Sequence, residues 1–258
     1  IETVRTLIAD AEQQLGQRAT IGIGTPGSLN PRTGLMQNAN STWLNGRAFQ
    51  SDLEGALGRE VRMANDANCL ALSEARDGAA AGKRIVFAVI IGTGCGGGLV
   101  IDGALIDGAN GIAGEFGHIA LPWPTAEEFP GPACWCGLPG CLETWISGSG
   151  FQRDYEARTG QVVGAPEIVA SAGAGDGTAQ AALTAYVDRL ARGLAVVANI
   201  VDPDCFVLGG GMSNVDSLYA HLPERIRHYA FSDMWDSIVV PATWGDSSGV
   251  RGAAHLWG

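Results

Sequence analysis

The chain has 258 residues, 46% of them hydrophobic and 17% charged, which is enough apolar material for one large or two modest folded domains. Its net charge of -11 argues against a nucleic-acid partner, because a surface that binds a nucleic-acid backbone needs clustered positive charge. No apolar run reaches the roughly 18 residues of a membrane span, so we expect no membrane attachment. The six cysteines lack the dense, even pattern of a secreted disulfide scaffold, and we expect a cytoplasmic protein.

Helices and short apolar strands alternate along the chain. In chain order the patterns predict a helix over residues 2–15, a strand over 20–24, a helix over 49–57, a strand over 60–64, a helix over 69–76, a strand over 84–91, a hairpin strand over 99–101, a helix over 180–200, a strand over 205–208 and a helix over 250–257. This alternation predicts an α/β fold. The Gly- and Ala-rich stretch 77–83 suggests a division of the chain near residue 83.

Three cysteines and one histidine have the composition of a structural zinc site. Cys134, Cys136 and Cys141 lie within eight residues of one another, and His118 precedes the first of them by sixteen. Three thiolates and one imidazole form a closed tetrahedral set, whereas a catalytic zinc keeps an open position. The alternative is three incidental buried thiols.

Polar residues beside this cluster predict a pocket for a polyol. If one ring nitrogen of His118 binds zinc, the other is free to donate a hydrogen bond outward. Glu115 and Glu143 flank the same cluster in the sequence. Each alone would be an ordinary surface or core residue, but together they are suited to bind hydroxyl groups.

A carboxylate and a glycine loop follow two of the predicted strands. Asn65 and Asp66 lie at the carboxyl end of a strand, the edge at which open α/β sheets bind ligands. Asp66 could take a proton from a substrate hydroxyl, or it could simply cap the next helix, as could Asn68. The Gly92–Gly98 loop, with the Thr93 hydroxyl, could wrap phosphates through its backbone N–H groups.

This loop matches neither a Walker motif nor the dinucleotide-binding fingerprint. A second loop, Gly209–Gly211, also follows a strand and could pass beside a nucleotide base or ribose. Glycine loops alone are weak indicators of phosphate binding, so the prediction depends on the motifs around them.

Five motifs occur in the order NDAN (65–68), GTGCGGG (92–98), GEFGH (114–118), CWCGLPGCLE (134–143) and LGGGMSN (208–214). Their order resembles that of the ROK sugar kinases, whose actin-like ATPase (ribonuclease H-like) fold has two lobes and a zinc-binding insertion. The resemblance implies an N-terminal lobe of residues 1–83 and 248–258 and a C-terminal lobe of residues 84–247. It also implies a homodimer.

The resemblance implies an ATP-dependent hexose kinase that uses Mg²⁺ with ATP and carries a structural Zn²⁺. Asp66 would be the general base on the 6-hydroxyl. The sugar ligands would be Asn65, Glu115, His118 and Glu143, and the metal ligands His118, Cys134, Cys136 and Cys141. The ATP contacts would be Gly92, Thr93 and Gly94 at the phosphates and Gly210 and Gly211 at the adenosine.

Two further segments, NANSTWLNG (38–46) and GDSSGVRGAA (245–254), look closest to bacterial fructokinases of the manno-fructokinase type, so the expected substrate is fructose, with mannose or glucose also possible. Two alternatives stay open: an N-acetylglucosamine kinase, and a sugar-sensing ROK repressor whose DNA-binding domain precedes Ile1.

The family begins with a D-x-G-G-T-K phosphate loop that these residues lack. We expect it upstream of Ile1, and whether the chain is active without it is open.

Overall fold

The computed structural model describes residues 1–258 and shows an α/β fold. Its first part contains the helices α1 (Glu2–Leu15), α2 (Phe49–Leu57) and α3 (Asp66–Asp77). Four short strands accompany them: β1 (Gly22–Thr25), β2 (Ser28–Leu29), β3 (Met36–Gln37) and β4 (Arg62–Asn65). Strands β1 and β4 pair in parallel with Thr25 opposite Asn65, so their carboxyl ends meet at one edge.

A five-stranded sheet forms the centre of the protein. In chain order its strands are β5 (Ile85–Ile91), β6 (Cys95–Ile101), β7 (Ala104–Leu105), β8 (Cys205–Gly209) and β9 (Ile238–Pro241), and in space they follow the order β7-β6-β5-β8-β9. Strand β5 is parallel to β8 and antiparallel to β6. Both of its faces are covered, which explains its continuous apolar sequence.

Alternate residues of β5 and β8 belong to two different cores. Phe87 and Leu208 pack in the larger core with residues of the helices that follow the sheet. Ala88 and Val207 pack in a smaller core with residues of α3. Because successive side chains of each strand point to opposite faces, the sheet separates two layers of helices.

The helices of the larger core are α4 (Glu143–Ile146), α5 (Gly148–Thr159), α6 (Ala165–Gly173), α7 (Gly177–Val201) and α8 (Ser217–Tyr229). The last helix, α9 (Ser248–His255), packs instead on α3 and β1. A Cβ on Gly252 would lie 1.7 Å from the Cys69 carbonyl oxygen, so glycine is required where α9 contacts α3. No helix is both long enough and apolar enough to cross a membrane.

The predicted α/β class is confirmed, but two local predictions were wrong. Helix α3 begins at Asp66, and its cap is Asn65, whose Oδ1 accepts the Asn68 N–H at 2.7 Å; neither Asp66 nor Asn68 is the cap. The glycine loop after β5 is also shorter than predicted. Gly96–Gly98 are residues of β6, where they pair with β5, and only Gly92–Gly94 form the turn.

Glu74 on α3 is fully buried and binds three separate segments of the chain. Its Oε2 accepts the backbone N–H of Ala79 at 2.8 Å and of Thr243 at 2.9 Å. Its Oε1 accepts the Ser248 hydroxyl at 2.8 Å and the Trp244 N–H at 3.2 Å. Four donors make this buried carboxylate tolerable, and they tie α3 to the segment before β5, to the segment after β9 and to the start of α9.

Candidate active site

Four side chains from two segments form the predicted metal cluster. His118 ends a short 3₁₀ turn, and the three cysteines lie in the loop before α4. All four ligand atoms lie within 4.8 Å of one another. Cys134 Sγ is 3.6 Å from His118 Nδ1, and Cys136 Sγ is 3.5 Å from Cys141 Sγ. Zinc bonds of about 2.0–2.3 Å in a tetrahedron place ligand atoms about 3.5–3.8 Å apart, and the two short separations match this range.

His118 faces the cysteines with Nδ1, which leaves Nε2 for another partner. The sulfur atoms reach one centre because the loop turns sharply at Gly137 and Gly140, whose φ angles are 95° and 71°. Such positive φ values favour glycine over other residues. The cluster therefore fixes the direction in which the second ring nitrogen of His118 points.

A cavity of about 270 Å³ lies beside the cluster. It is lined by all five residues predicted to bind the sugar or to act on it, namely Asn65, Asp66, Glu115, His118 and Glu143. The residues predicted to contact phosphates, Gly92, Thr93 and Gly94, line the same cavity. Residues distant in sequence thus meet at one site between β4, the turn after β5 and the metal cluster.

Asp66, the first residue of α3, reaches this cavity from the carboxyl end of β4. Its Oδ1 accepts the Ala67 N–H at 2.8 Å. The protein around the carboxyl excludes water and raises the pKa of Asp66, although hydrogen bonds from the backbone N–H groups of Ala67 and Asp66 lower it. A raised pKa makes the carboxylate a stronger base toward a hydroxyl proton.

Glu115 and Glu143 add two further carboxyl groups to the cavity wall. Burial raises the pKa of Glu115; nearby His118 lowers it, and the charges of Asp66 and Glu143 raise it. Carboxylates are acceptors only when ionised, with up to four lone-pair sites each. Three of them facing one cavity suit a ligand that carries several hydroxyl donors.

Two donors hold the carboxylate of Glu143. The Cys95 N–H donates to Oε2 and the Trp135 indole N–H donates to Oε1, both at 2.8 Å. Gly94 has no side chain at this point, and a Cβ there would lie 2.8 Å from Glu143 Oε2. Glu143 therefore connects the metal cluster to the glycine turn after β5.

Among the lining residues that sequence reasoning missed, three carry polar groups or a large ring on their side chains: Asn38, Asn40 and Trp135. The two asparagines belong to the NANSTWLNG segment, which had been singled out only for its family resemblance. Trp135 stands between two of the metal-binding cysteines, and that position was the one available signal. Its ring meets the His118 ring edge to face, with centroids 5.0 Å apart.

A second, largely apolar cavity of about 450 Å³ adjoins the first, and Gly92 lines both. Gly211, Met212 and Val215 line it from one side, and α6 lines it from the other. Gly210, which was also predicted to line the adenosine site, is not among its lining residues. It has a φ of 81°, and a Cβ there would lie 2.8 Å from the Ile91 carbonyl oxygen, so Gly210 allows the loop to pass close to β5.

Comparisons with known proteins identify the family of the chain. The model of the ROK family matches residues 1–258. The N-acetyl-D-glucosamine kinase of Yersinia enterocolitica is 39% identical over 260 residues, which cover 99% of this chain and 86% of the relative.

Two solved structures have the same fold. The ROK hexokinase from Thermus thermophilus has a TM-score of 0.85 and 34% identity, covering 98% of this chain and 83% of that one. A ROK family glucokinase from Streptomyces griseus, in complex with glucose and AMPPNP, has a TM-score of 0.78 and 28% identity, covering 99% and 87%. The predicted actin-like ATPase fold is therefore confirmed, and the chain belongs to the ROK family of sugar kinases.

Proposed function

We propose that this protein is an ATP-dependent hexose kinase that phosphorylates the 6-hydroxyl of its sugar, with Asp66 as the general base. One observation carries the proposal: Asp66, the acceptors Glu115 and Glu143, and the Gly92–Gly94 turn line a single cavity of about 270 Å³. That volume is just below the roughly 300–1,000 Å³ of sites for drug-sized ligands, as expected for a single sugar ring.

The proposed roles follow from the chemistry of each group. Asn65, Glu115, His118 through Nε2 and Glu143 bind the sugar hydroxyls, and Asp66 accepts the proton of the attacking hydroxyl. Backbone N–H groups of the Gly92–Gly94 turn and the Thr93 hydroxyl contact the ATP phosphates. Gly211 and the apolar cavity hold the adenosine. Mg²⁺ bound with ATP neutralises phosphate charge, which phosphoryl transfer requires.

Zinc in the Cys₃His cluster has a structural role in this proposal. Its ligands are four protein side chains, which leave no open position for substrate. Bound zinc would hold His118 and the loop that carries Trp135 against the sugar cavity. The fit of the four ligand atoms to a tetrahedral ion supports the assignment.

Fructose is our first candidate substrate, and N-acetyl-D-glucosamine is the second. The resemblance of residues 38–46 to fructokinases favours fructose, and this segment contributes Asn38 and Asn40 to the cavity wall. The 39% identity to an N-acetyl-D-glucosamine kinase favours the second. Such sugars differ in a few hydroxyls or one substituent, and a site discriminates between them by the polar groups that each leaves unpaired.

The proposal keeps three predictions from the sequence. The lobes would be residues 1–83 with 248–258, and residues 84–247; the packing of α9 on α3 and β1 supports the assignment of the C-terminal segment to the first lobe. The protein would act as a homodimer, and it would work in the cytoplasm.

Steady-state kinetics with MgATP and a panel of fructose, mannose, glucose and N-acetyl-D-glucosamine test the function. We expect Asp66→Asn to lower kcat by about 10² or more while sugar binding, measured by calorimetry, is retained. Asp107→Asn is the matched control, because burial also raises the pKa of Asp107 but this residue lines a different cavity.

Normal turnover in Asp66→Asn would remove Asp66 from the mechanism. Tight sugar binding with no turnover of any sugar would favour the sugar-sensing regulator over the kinase.

A further inference from the structure

We propose that Trp135 is a positioning residue of the sugar pocket: its indole N–H holds the Glu143 carboxylate in the orientation that receives the sugar hydroxyls. The inference rests on the proposed hexose-binding function of the cavity. It gives a specific task to a side chain that the metal cluster does not require, since zinc binding needs only the cysteines on either side of it.

The environment of Trp135 is unusual for a tryptophan. The side chain is half-exposed, at 50%, and it lines the cavity instead of packing into a core. Tryptophan contributes most to stability when its ring is buried and its N–H is paired. Here the N–H is paired with Glu143 Oε1 at 2.8 Å while the ring stays open to the pocket. The side chain thus lines the ligand site and is not buried in a core.

Trp135 contacts two of the predicted sugar ligands at once. It donates to Glu143, and its ring meets the His118 ring edge to face at an interplanar angle of 88°. Both contacts come from a backbone position fixed between Cys134 and Cys136. Metal binding, the direction of His118 and the direction of Glu143 are therefore linked through one side chain.

Glu143 needs this second donor to have one orientation. The last torsion of a glutamate side chain is broad and roughly two-fold, so a single contact leaves the carboxylate free to rotate. The Cys95 N–H fixes Oε2, and the Trp135 N–H fixes Oε1. With both in place, the remaining lone pair of each oxygen points in a defined direction.

A role confined to stabilising the metal cluster is the competing explanation, and it predicts different kinetics. A loosened cluster would lower the melting temperature, release zinc and disturb both kcat and the KM values of both substrates. A misdirected Glu143 would weaken sugar binding equally in the ground state and the transition state. That change raises the sugar KM and leaves kcat unchanged.

Trp135→Phe tests the inference, because it keeps an aromatic ring and removes the N–H donor together with the five-membered ring that carries it. The loss of a hydrogen bond to a carboxylate corresponds to about a ten-fold change in an equilibrium constant. We therefore expect the sugar KM to rise about ten-fold, with kcat, the KM for ATP, the zinc content and the melting temperature as in the unmodified protein. Trp123→Phe is the matched control: Trp123 is 52% exposed and stacks on Tyr229 outside the cavity.

A double-mutant cycle with Glu143→Gln tests whether Trp135 acts through Glu143. If it does, adding Trp135→Phe to Glu143→Gln should raise the sugar KM little further, because the carboxylate that Trp135 orients is already absent. Additive effects would overturn the inference, as would an unchanged sugar KM in Trp135→Phe or a rise accompanied by loss of zinc. If the unmodified protein neither binds nor phosphorylates any hexose, the proposed function fails and this inference fails with it.

Discussion

Replacing Glu128 with Gln should destabilise the protein, because two buried arginines of α7 depend on its charge. The side chains of Arg189 and Arg192 are only 5% and 4% exposed. Glu128 Oε1 accepts from Arg189 Nε at 2.7 Å and from Arg192 Nη2 at 2.9 Å, and Oε2 accepts from Arg192 Nη1 at 3.0 Å. Because Glu128 lies in the loop that leads to Cys134 of the metal cluster, this network attaches that loop to α7.

Two separate considerations give the size of the effect. Burial by itself raises the pKa of Glu128, but hydrogen bonds from Arg192 and Arg189 outweigh it and lower the pKa from 4.5 to about 2. At about 1.4 kcal/mol for each pKa unit, this corresponds to about 3 kcal/mol of stability at pH 7. Breaking a buried ion pair from one side costs about 3–5 kcal/mol. Arg189 keeps Asp154 and Arg192 keeps Asp188, both at 3.1 Å, so we expect the lower end.

The loss should depend on pH in a defined direction. The ionised form of Glu128 is the stabilising one, so its contribution is complete above pH 4.5 and disappears as the pH falls through about 2. Urea unfolding curves should therefore separate Glu128→Gln from the unmodified protein by about 3 kcal/mol at pH 7 and by about 1 kcal/mol at pH 3. Glu127→Gln, a change at the exposed neighbour, is the control and should have little effect.

A deficit below about 1 kcal/mol at pH 7, or one that does not shrink on acidification, would refute this reasoning about the buried network.

Three further predictions concern the base, the metal and the contact between helices. Because burial raises the pKa of Asp66, kcat/KM should fall on the acid side through a pKa above 3.8; an acid limb at or below that value would contradict the assignment. Chelation of zinc should lower the melting temperature and weaken sugar binding, with recovery when zinc is returned, whereas metal analysis that finds no zinc in carefully prepared protein would rule out the site. Gly252→Ala should destabilise the protein by about 1–3 kcal/mol in urea unfolding, since its Cβ would overlap the Cys69 carbonyl. Gly249→Ala on the same helix meets nothing within 4 Å and serves as the control; equal effects of the two changes would contradict the close contact.

The sequence predicted most helices and strands because their apolar periods are strong. Helices α1 and α2 have the predicted ends, and the helix predicted over residues 180–200 extends over Gly177–Val201. The start of α3 was harder, because the NDAN motif contains three residues that can cap a helix. Which of them caps is decided by the backbone, and Asn65, with φ of −72° and ψ of 163°, is the one in extended conformation.

Within the site, the chemistry-bearing residues of the motifs were predictable, and their supporting residues were not. The type and spacing of carboxylates and thiols predict the kind of site that they form. Asn38, Asn40 and Trp135 have ordinary side chains, and only the tertiary fold brings them to the cavity. Gly210 and Gly211 are neighbouring glycines, which the sequence does not distinguish. In the structure only Gly210 lies close to β5.

The four hydrogen bonds of Glu74 also limit how the segments that they join can move. Residues 79, 243, 244 and 248 are tied to α3, so any rotation would carry them together with that helix as one rigid body. Helix α3 itself packs against β5 and β8 in the smaller core. Through Glu74, these segments are therefore held to the central sheet as well as to one another.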